Sequence, residues 1–232
     1  MTGNPVITID GPSGAGKSTV AKMLARRLGI RYLDSGSIYR AVAYILDKHG
    51  IAAEDGVELR EALEVLTVRM EEGRILVNDK DVTSRIRTPY VSAIASKYSA
   101  LPVVRQSLLR IQREQASYQG LVAEGRDMGT VVFPEADLKI FLTASDQVRA
   151  LRRWKELKEK GEDLDLEVVL DQIRQRDRND STRKTAPLKA AEDSVVFDTS
   201  DLGIEEVLDN LVSIVNSRVS GGCPGSDRST LS

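Results

Sequence analysis

A chain of 232 residues, 41% hydrophobic and 29% charged, has the length and balance of one α/β domain with room for a small insert. Its net charge of −2 supplies no overall basic field to draw it onto nucleic acid or a membrane, and no apolar run approaches the roughly 20 residues of a membrane span. The single cysteine, Cys223, has no partner for an internal disulfide, and no basic stretch followed by an apolar run opens the chain, so a cytoplasmic protein without a signal peptide is expected.

In chain order, VITID at 6–10 is short, β-branched and ends at Asp10-Gly11, the pattern of a buried parallel strand. After a glycine-rich stretch, Val20, Met23, Leu24 and Leu28 recur at helical spacing, and Gly29 closes that helix. A second strand is expected at 30–33 and a helix from about Ile38 to His49. At their junction stands DSGSIYR, 34–40: either Asp34 or Ser35 caps the helix, or Arg40 reaches a ligand beside the glycines.

From 57 the alternation breaks. A helix near 57–67 precedes VRMEEGRILVNDKDVT at 68–83, where apolar and polar residues alternate around Glu-Glu-Gly and Asn-Asp-Lys turns, and helical patterns fill about 89–118. This block reads as a small α+β insert between the second and third core strands. Apolar runs at 121–124, 138–144 and 194–199 then alternate with helices, implying a parallel sheet covered on both faces. The segment 149–188 reads as a helix, a charged turn at Gly161, another helix and an irregular basic stretch. Residues from about 218 onward lack periodicity and are expected to be disordered.

GPSGAGKST at 11–19 satisfies G-x-x-x-x-G-K-[ST] through Gly11, Gly16, Lys17 and Ser18, with Pro12, Ser13, Gly14 and Ala15 between and Thr19 after. Such a loop curls so that backbone N–H groups converge on a phosphate at a helix N-terminus. Lys17 supplies a mobile charge for the β- and γ-phosphates, and the Ser18 hydroxyl is the candidate Mg²⁺ ligand. A nucleoside triphosphate and Mg²⁺ are therefore expected. A GTPase is disfavoured, since the nearest base-recognition motif, NDKD at 78–81, falls inside the insert. A motor is disfavoured because LVAEGRD, 121–127, ends in Glu-Gly-Arg-Asp, an unpromising shape for a water-activating site.

A small-molecule kinase accounts for the remainder. Phosphoryl transfer needs charge offset, an acceptor held in line and water excluded. The insert and the arginines at 149, 152, 153, 174, 176, 178 and 183 are candidates for those tasks. For Arg149, Lys155 and Lys158 a solvated helix face is the competing explanation. A nucleotide-dependent switch is the rival from another class, and it predicts no acceptor-stimulated turnover.

ITIDGPSGAGKST, LDSGSIYR, EGRDMGTVVFP, KIFLTAS and RDRNDSTRKTAPL, in that order, resemble the bacterial cytidylate kinase family from near residue 5 to near residue 215. The resemblance implies a P-loop NTPase three-layer α/β sandwich with a parallel core sheet, a small α+β acceptor-binding insert and a helical lid. It implies one kinase unit over 1–217, with core about 5–56, 119–156 and 186–217, insert about 57–118, lid about 157–185, and a tail at 218–232. The implied reaction passes the γ-phosphoryl of ATP to CMP or dCMP, in a monomer with nucleotide partners and neither nucleic acid nor membrane.

Carried over by position, Ser35, Arg40 and Arg126 resemble acceptor-side residues, the arginines as phosphate contacts. Ser96, Arg105 and Asp127 resemble those reading the cytosine ring, Arg176 and Asp180 those near the pentose, and Arg183 one reaching the acceptor from the lid. Lys17, Arg126 and Arg183 are the implied catalytic set. On its own merits Asp127 is well placed, at a strand's C-terminal end where open α/β sheets bind ligands. Ser96 and Arg105 sit in ordinary helical patterns. A phosphomonoester already anionic near pH 7 needs no general base, so His49, the only histidine, is expected as a cap or surface residue.

Overall fold

The computed structural model describes residues 4–219, apart from 72, 117–119 and 160. β1 (Val6–Asp10) is the middle strand, and its register sets Ile7 opposite Val122 on one side and Leu138 on the other. α1 (Lys17–Leu28) follows, closed by Gly29 in the left-handed region at φ 67°, as expected. β2 (Arg31–Asp34) leads directly into α2 (Ser35–Lys48). That helix begins three residues before the expected Ile38, because the Asp34 carboxylate accepts the Ser37 N–H at 2.8 Å and satisfies an orphan donor of its first turn. His49 is the C-cap and is exposed, with Nδ1 2.7 Å from the Ile45 carbonyl oxygen.

The insert contains α3 (Val57–Glu64) and an antiparallel sheet of β3 (Val68–Glu71), β4 (Arg74–Val77) and β5 (Lys80–Asp81). α4 (Pro89–Tyr98) and α5 (Pro102–Glu114) complete it, each with proline in its first turn, where the missing N–H costs nothing. The core resumes with β6 (Leu121–Gly125), a π-helical turn at Met128–Val132, β7 (Leu138–Thr143), α6 (Asp146–Glu159), α7 (Leu166–Thr182), β8 (Val195–Asp198) and α8 (Ile204–Val219). The five core strands are parallel in the order β2-β6-β1-β7-β8.

Each face of the sheet has its own core. Ile7 and Ile9 pack with Val20 and Leu24 of α1 and Leu208, Leu211 and Val215 of α8. On the other face Leu33, Ala123 and Met128 pack with Ile38, Val42 and Leu46 of α2 and with Val77, Ile86, Val91 and Leu108 of the insert. The α6–α7 hairpin carries a third, smaller cluster of Ala150, Leu157, Val169, Leu170 and Ile173.

α7 runs unbroken to Thr182, so Arg176 and Asp180 are helical and the irregular stretch begins only at Arg183. α8 carries regular structure through residues 218 and 219, past the expected onset of disorder; Cys223 and the rest of 220–232 lie outside the described residues. Among the described residues no helix is long and apolar enough to cross a membrane.

Candidate active site

The C-terminal ends of β2, β6 and β1 stand side by side, about 4.8 Å apart, and the residues that follow them line one cleft of about 1290 Å³. After β1 the chain turns at Gly11, where an added Cβ would come 1.9 Å from the Leu142 carbonyl oxygen. Only glycine fits there. Ser13 to Thr19 line the cleft; Gly11 and Pro12, expected with them, are buried and do not line it.

Lys17 opens α1 and is buried. Its Nζ donates to the Pro12 carbonyl at 2.7 Å. Burial first, and then the neighbouring Arg126, push its pKa down to about 7, against the pull of Glu124. The Ser18 hydroxyl donates to Glu124 Oε1 at 2.5 Å, and Tyr32 donates to the same oxygen at 3.2 Å. Burial and the charge of Asp34 push the Glu124 carboxyl upward.

Across the cleft, cations and carboxylates interlock. Arg40, one turn into α2, donates through Nη2 to Asp34 (3.0 Å) and Ser37 (2.7 Å), while its buried Nε has no partner among the described residues. Arg126 donates through Nε to Asp180 at 2.8 Å, joining the end of β6 to α7. Asp127 is paired with Arg105 Nη2 and lies 3.5 Å from Arg183 Nη2. Arg105 also donates to the Ser99 carbonyl at 3.0 Å and sits 5.2 Å over the Tyr39 ring, a cation–π contact.

Arg183 is held by the Ala186 carbonyl through Nε at 2.6 Å, and its buried Nη2 makes no hydrogen bond among the described residues. Arg176 donates to the Ser13 hydroxyl at 3.3 Å; burial and then Arg126 push its pKa down to about 10. Ser96 lines the cleft from α4. Ser35 lines it too, but its hydroxyl is spent on the Glu124 carbonyl at 2.7 Å. Positive charge crowds the centre: Arg126 lowers the pKa of both Lys17 and Arg176, and among the described residues the buried Arg40 Nε has no hydrogen-bond partner while the buried Arg183 Nη2 has only Asp127 at 3.5 Å. Such a cavity suits polyanions.

Residues 7–217 match the family model for cytidylate kinase. The chain belongs to the cytidylate kinase family. It is 50% identical over 216 residues to the cytidylate kinase of Methylococcus capsulatus, covering 92% of this chain and 97% of that one. The cytidylate kinase of Stutzerimonas stutzeri is 49% identical over 220 residues, covering 92% and 96%. A solved structure of an uncharacterized protein from Eubacterium ventriosum shares the fold at TM-score 0.53 and 15% identity, covering 93% of this chain and all of that one.

For a member of the cytidylate kinase family, the sequence-predicted residues converge well. All line one cleft except Gly11 and Pro12. Several residues at the site go beyond that expectation. Glu124 was discounted with its strand end, yet it meets Ser18 because β6 is the immediate neighbour of β1. Asp34 was expected only as a cap and also grips Arg40. Tyr39 of α2 is buried and lies under Arg105. Asp177 meets the phosphate loop at Ser13. An apolar strand ending in a lone carboxylate next to a P-loop strand was the available signal for Glu124.

Proposed function

We propose that this chain passes the γ-phosphoryl group of ATP to CMP or dCMP, giving ADP and CDP or dCDP. The observation that carries the reading is the pairing of a phosphate loop with an opposed set of guanidinium groups; among the described residues the buried Nε of Arg40 has no hydrogen-bond partner, and the buried Nη2 of Arg183 has only Asp127 at 3.5 Å. A buried donor left unpaired costs about 1–3 kcal/mol, which an acceptor phosphate would relieve.

In this reading the loop amides and Lys17 hold the donor's phosphates, and Arg40 and Arg126 hold the acceptor's phosphate. Arg183 reaches the acceptor from the lid and Arg176 lies near its pentose, and together these cations offset the repulsion between triphosphate and monophosphate dianion. No side chain needs to take a proton, because the acceptor oxygen is already anionic near pH 7. Asp127 accepts from the exocyclic amine of cytosine, with Arg105 and Ser96 donating to the ring. The oxygen donors Ser18 and Glu124 would hold Mg²⁺, which would supply positive charge to polarise the donor's phosphates. Replacing Glu124 by glutamine should then raise the Mg²⁺ concentration giving half-maximal rate by roughly 10-fold or more, with an Mg²⁺ titration at saturating nucleotides as the measurement.

Coupled ADP release with CMP, dCMP, UMP, AMP and shikimate tests the reading. CMP or dCMP should give the highest kcat/KM, and a preference for UMP or AMP would overturn it. Arg40→Ala should raise the KM for CMP by roughly 10- to 100-fold, a charged hydrogen bond's worth, while ATP affinity measured by equilibrium binding stays within about 2-fold.

A further inference from the structure

We propose that Arg149 and Asp177 are positioning residues that lock the Ser13 peptide of the phosphate loop to the α6–α7 hairpin, so that the donor's terminal phosphate and the arginines of α7 are brought into register by one device. The inference rests on the phosphoryl-transfer reading above.

Arg149 lies in the first turn of α6 and is 8% exposed. Its Nε donates to the Ala144 carbonyl at 2.8 Å, which fixes the plane of the fork. Its Nη1 donates to the Ser13 carbonyl at 3.0 Å and is paired with Asp177. The other oxygen of Asp177 accepts the Ser13 N–H at 3.2 Å. Both backbone polar groups of one loop residue are therefore held by side chains of the hairpin. A carboxylate on an amide of a phosphate loop also withholds that donor from the nucleotide, leaving the later amides to face the anion.

Packing agrees with this geometry. Gly14 has φ +76°, and an added Cβ would come 3.0 Å from the Arg149 carbonyl oxygen and 3.1 Å from its Cβ, so the loop rests directly on α6. The next residue of α7 in the other direction, Arg176, reaches the Ser13 hydroxyl at 3.3 Å. One helical turn further on, Asp180 holds Arg126. The hairpin's buried apolar cluster is drawn from its own two helices. Its ties to the cleft named here are hydrogen bonds and ion pairs, which reward one orientation and lose their energy when it is lost.

Kinetics of Asp177→Asn, Arg149→Lys and the double variant test the proposal, with Arg174→Gln as the control. Arg174, a candidate in the sequence, does not line the cleft: it pairs with Asp146 at 2.6 Å on the exposed side of the same hairpin, so its loss perturbs the hairpin without touching the loop. Each single variant should lose roughly 10- to 100-fold in kcat, as expected for a charge-assisted contact. The KM for CMP should stay within about 2-fold, and the double variant should be no slower than the worse single one, because the pair acts as a unit. Arg174→Gln should keep the parental kcat. Multiplicative losses in the double variant, an equal loss in Arg174→Gln, a loss expressed mainly in the KM for CMP, or a lowered Tm with kcat intact would each overturn the assignment. If Asp177→Asn does not fold, Arg149→Lys against Arg149→Gln carries the same comparison, with lysine expected to restore part of the rate. Failure of the phosphoryl-transfer reading would show separately, as a wrong acceptor preference in the parent chain.

Discussion

Lys17→Ala should reduce kcat by at least roughly 10²- to 10³-fold, the loss typical of removing a preorganised group aimed at developing charge, and it should also make the nucleotide-free protein more stable near neutral pH. The two effects share one cause. The Lys17 ammonium is buried, its one hydrogen bond among the described residues goes to a carbonyl, and Arg126 and Arg176 repel it. Its pKa falls from 10.5 to about 7 in the folded chain. Below pH 7 the native and unfolded states are both protonated, and the full cost of burying the charge is borne. Between about 7 and 10.5 the native state has released a proton that the unfolded state keeps, so stability rises with pH across that window. Alanine has nothing to titrate. Its stability advantage over the parent should be greatest at pH 7 and below and shrink by pH 9, as read from urea unfolding of both proteins at each pH. An advantage that does not change with pH would mean the lysine is comfortable where it lies.

The second large effect concerns base discrimination. Asp127→Asn should lower the ratio of kcat/KM for CMP to that for UMP by roughly 10- to 100-fold, since an amide is able to present its N–H to the uracil carbonyl. Asparagine is preferable to alanine here. Asp127 is buried between Arg105 and Arg183, and deleting one partner of a buried ion pair costs about 3–5 kcal/mol. Asparagine also loses the charge, but it fills the same space and its side-chain oxygen is able to accept from Arg105, which keeps the Ser99 carbonyl and the Tyr39 ring as well. Steady-state kinetics with both acceptors, run beside a thermal melt, separate lost recognition from lost fold. An unchanged ratio would assign base recognition to another group.

The parts of this site that were legible in the sequence are those built over short distances. The phosphate loop is one uninterrupted motif between a β-branched strand and an amphipathic helix, and the Asp34–Arg40 contact spans less than two turns. Capping and ligand contact, two alternatives at the level of residues 34–40, prove compatible, because the carboxylate that caps α2 also steadies the guanidinium. Glu124 with Ser18 and Asp177 with Ser13 are 106 and 164 residues apart in the chain, and nothing local reports such pairs. They follow from the strand order, which sets β6 against β1 and sends α7 back over the loop. The C-terminal half of α7 reads as irregular for a different reason. Its inward side carries Arg176, Asp177 and Asp180 rather than apolar residues, so the usual helical pattern is absent where the helix faces the cleft.

The separation of the two main cores by the sheet has a consequence for how such a molecule diversifies. The core behind the phosphate loop is built from β1, α1 and α8, whereas the insert, which lines the cleft with Ser96 and Arg105, shares a core with α2 and β6 on the opposite face. Side chains on one face are able to repack with little disturbance to the other. A lineage is therefore free to rewrite what it accepts while inheriting unchanged the means of holding what it spends.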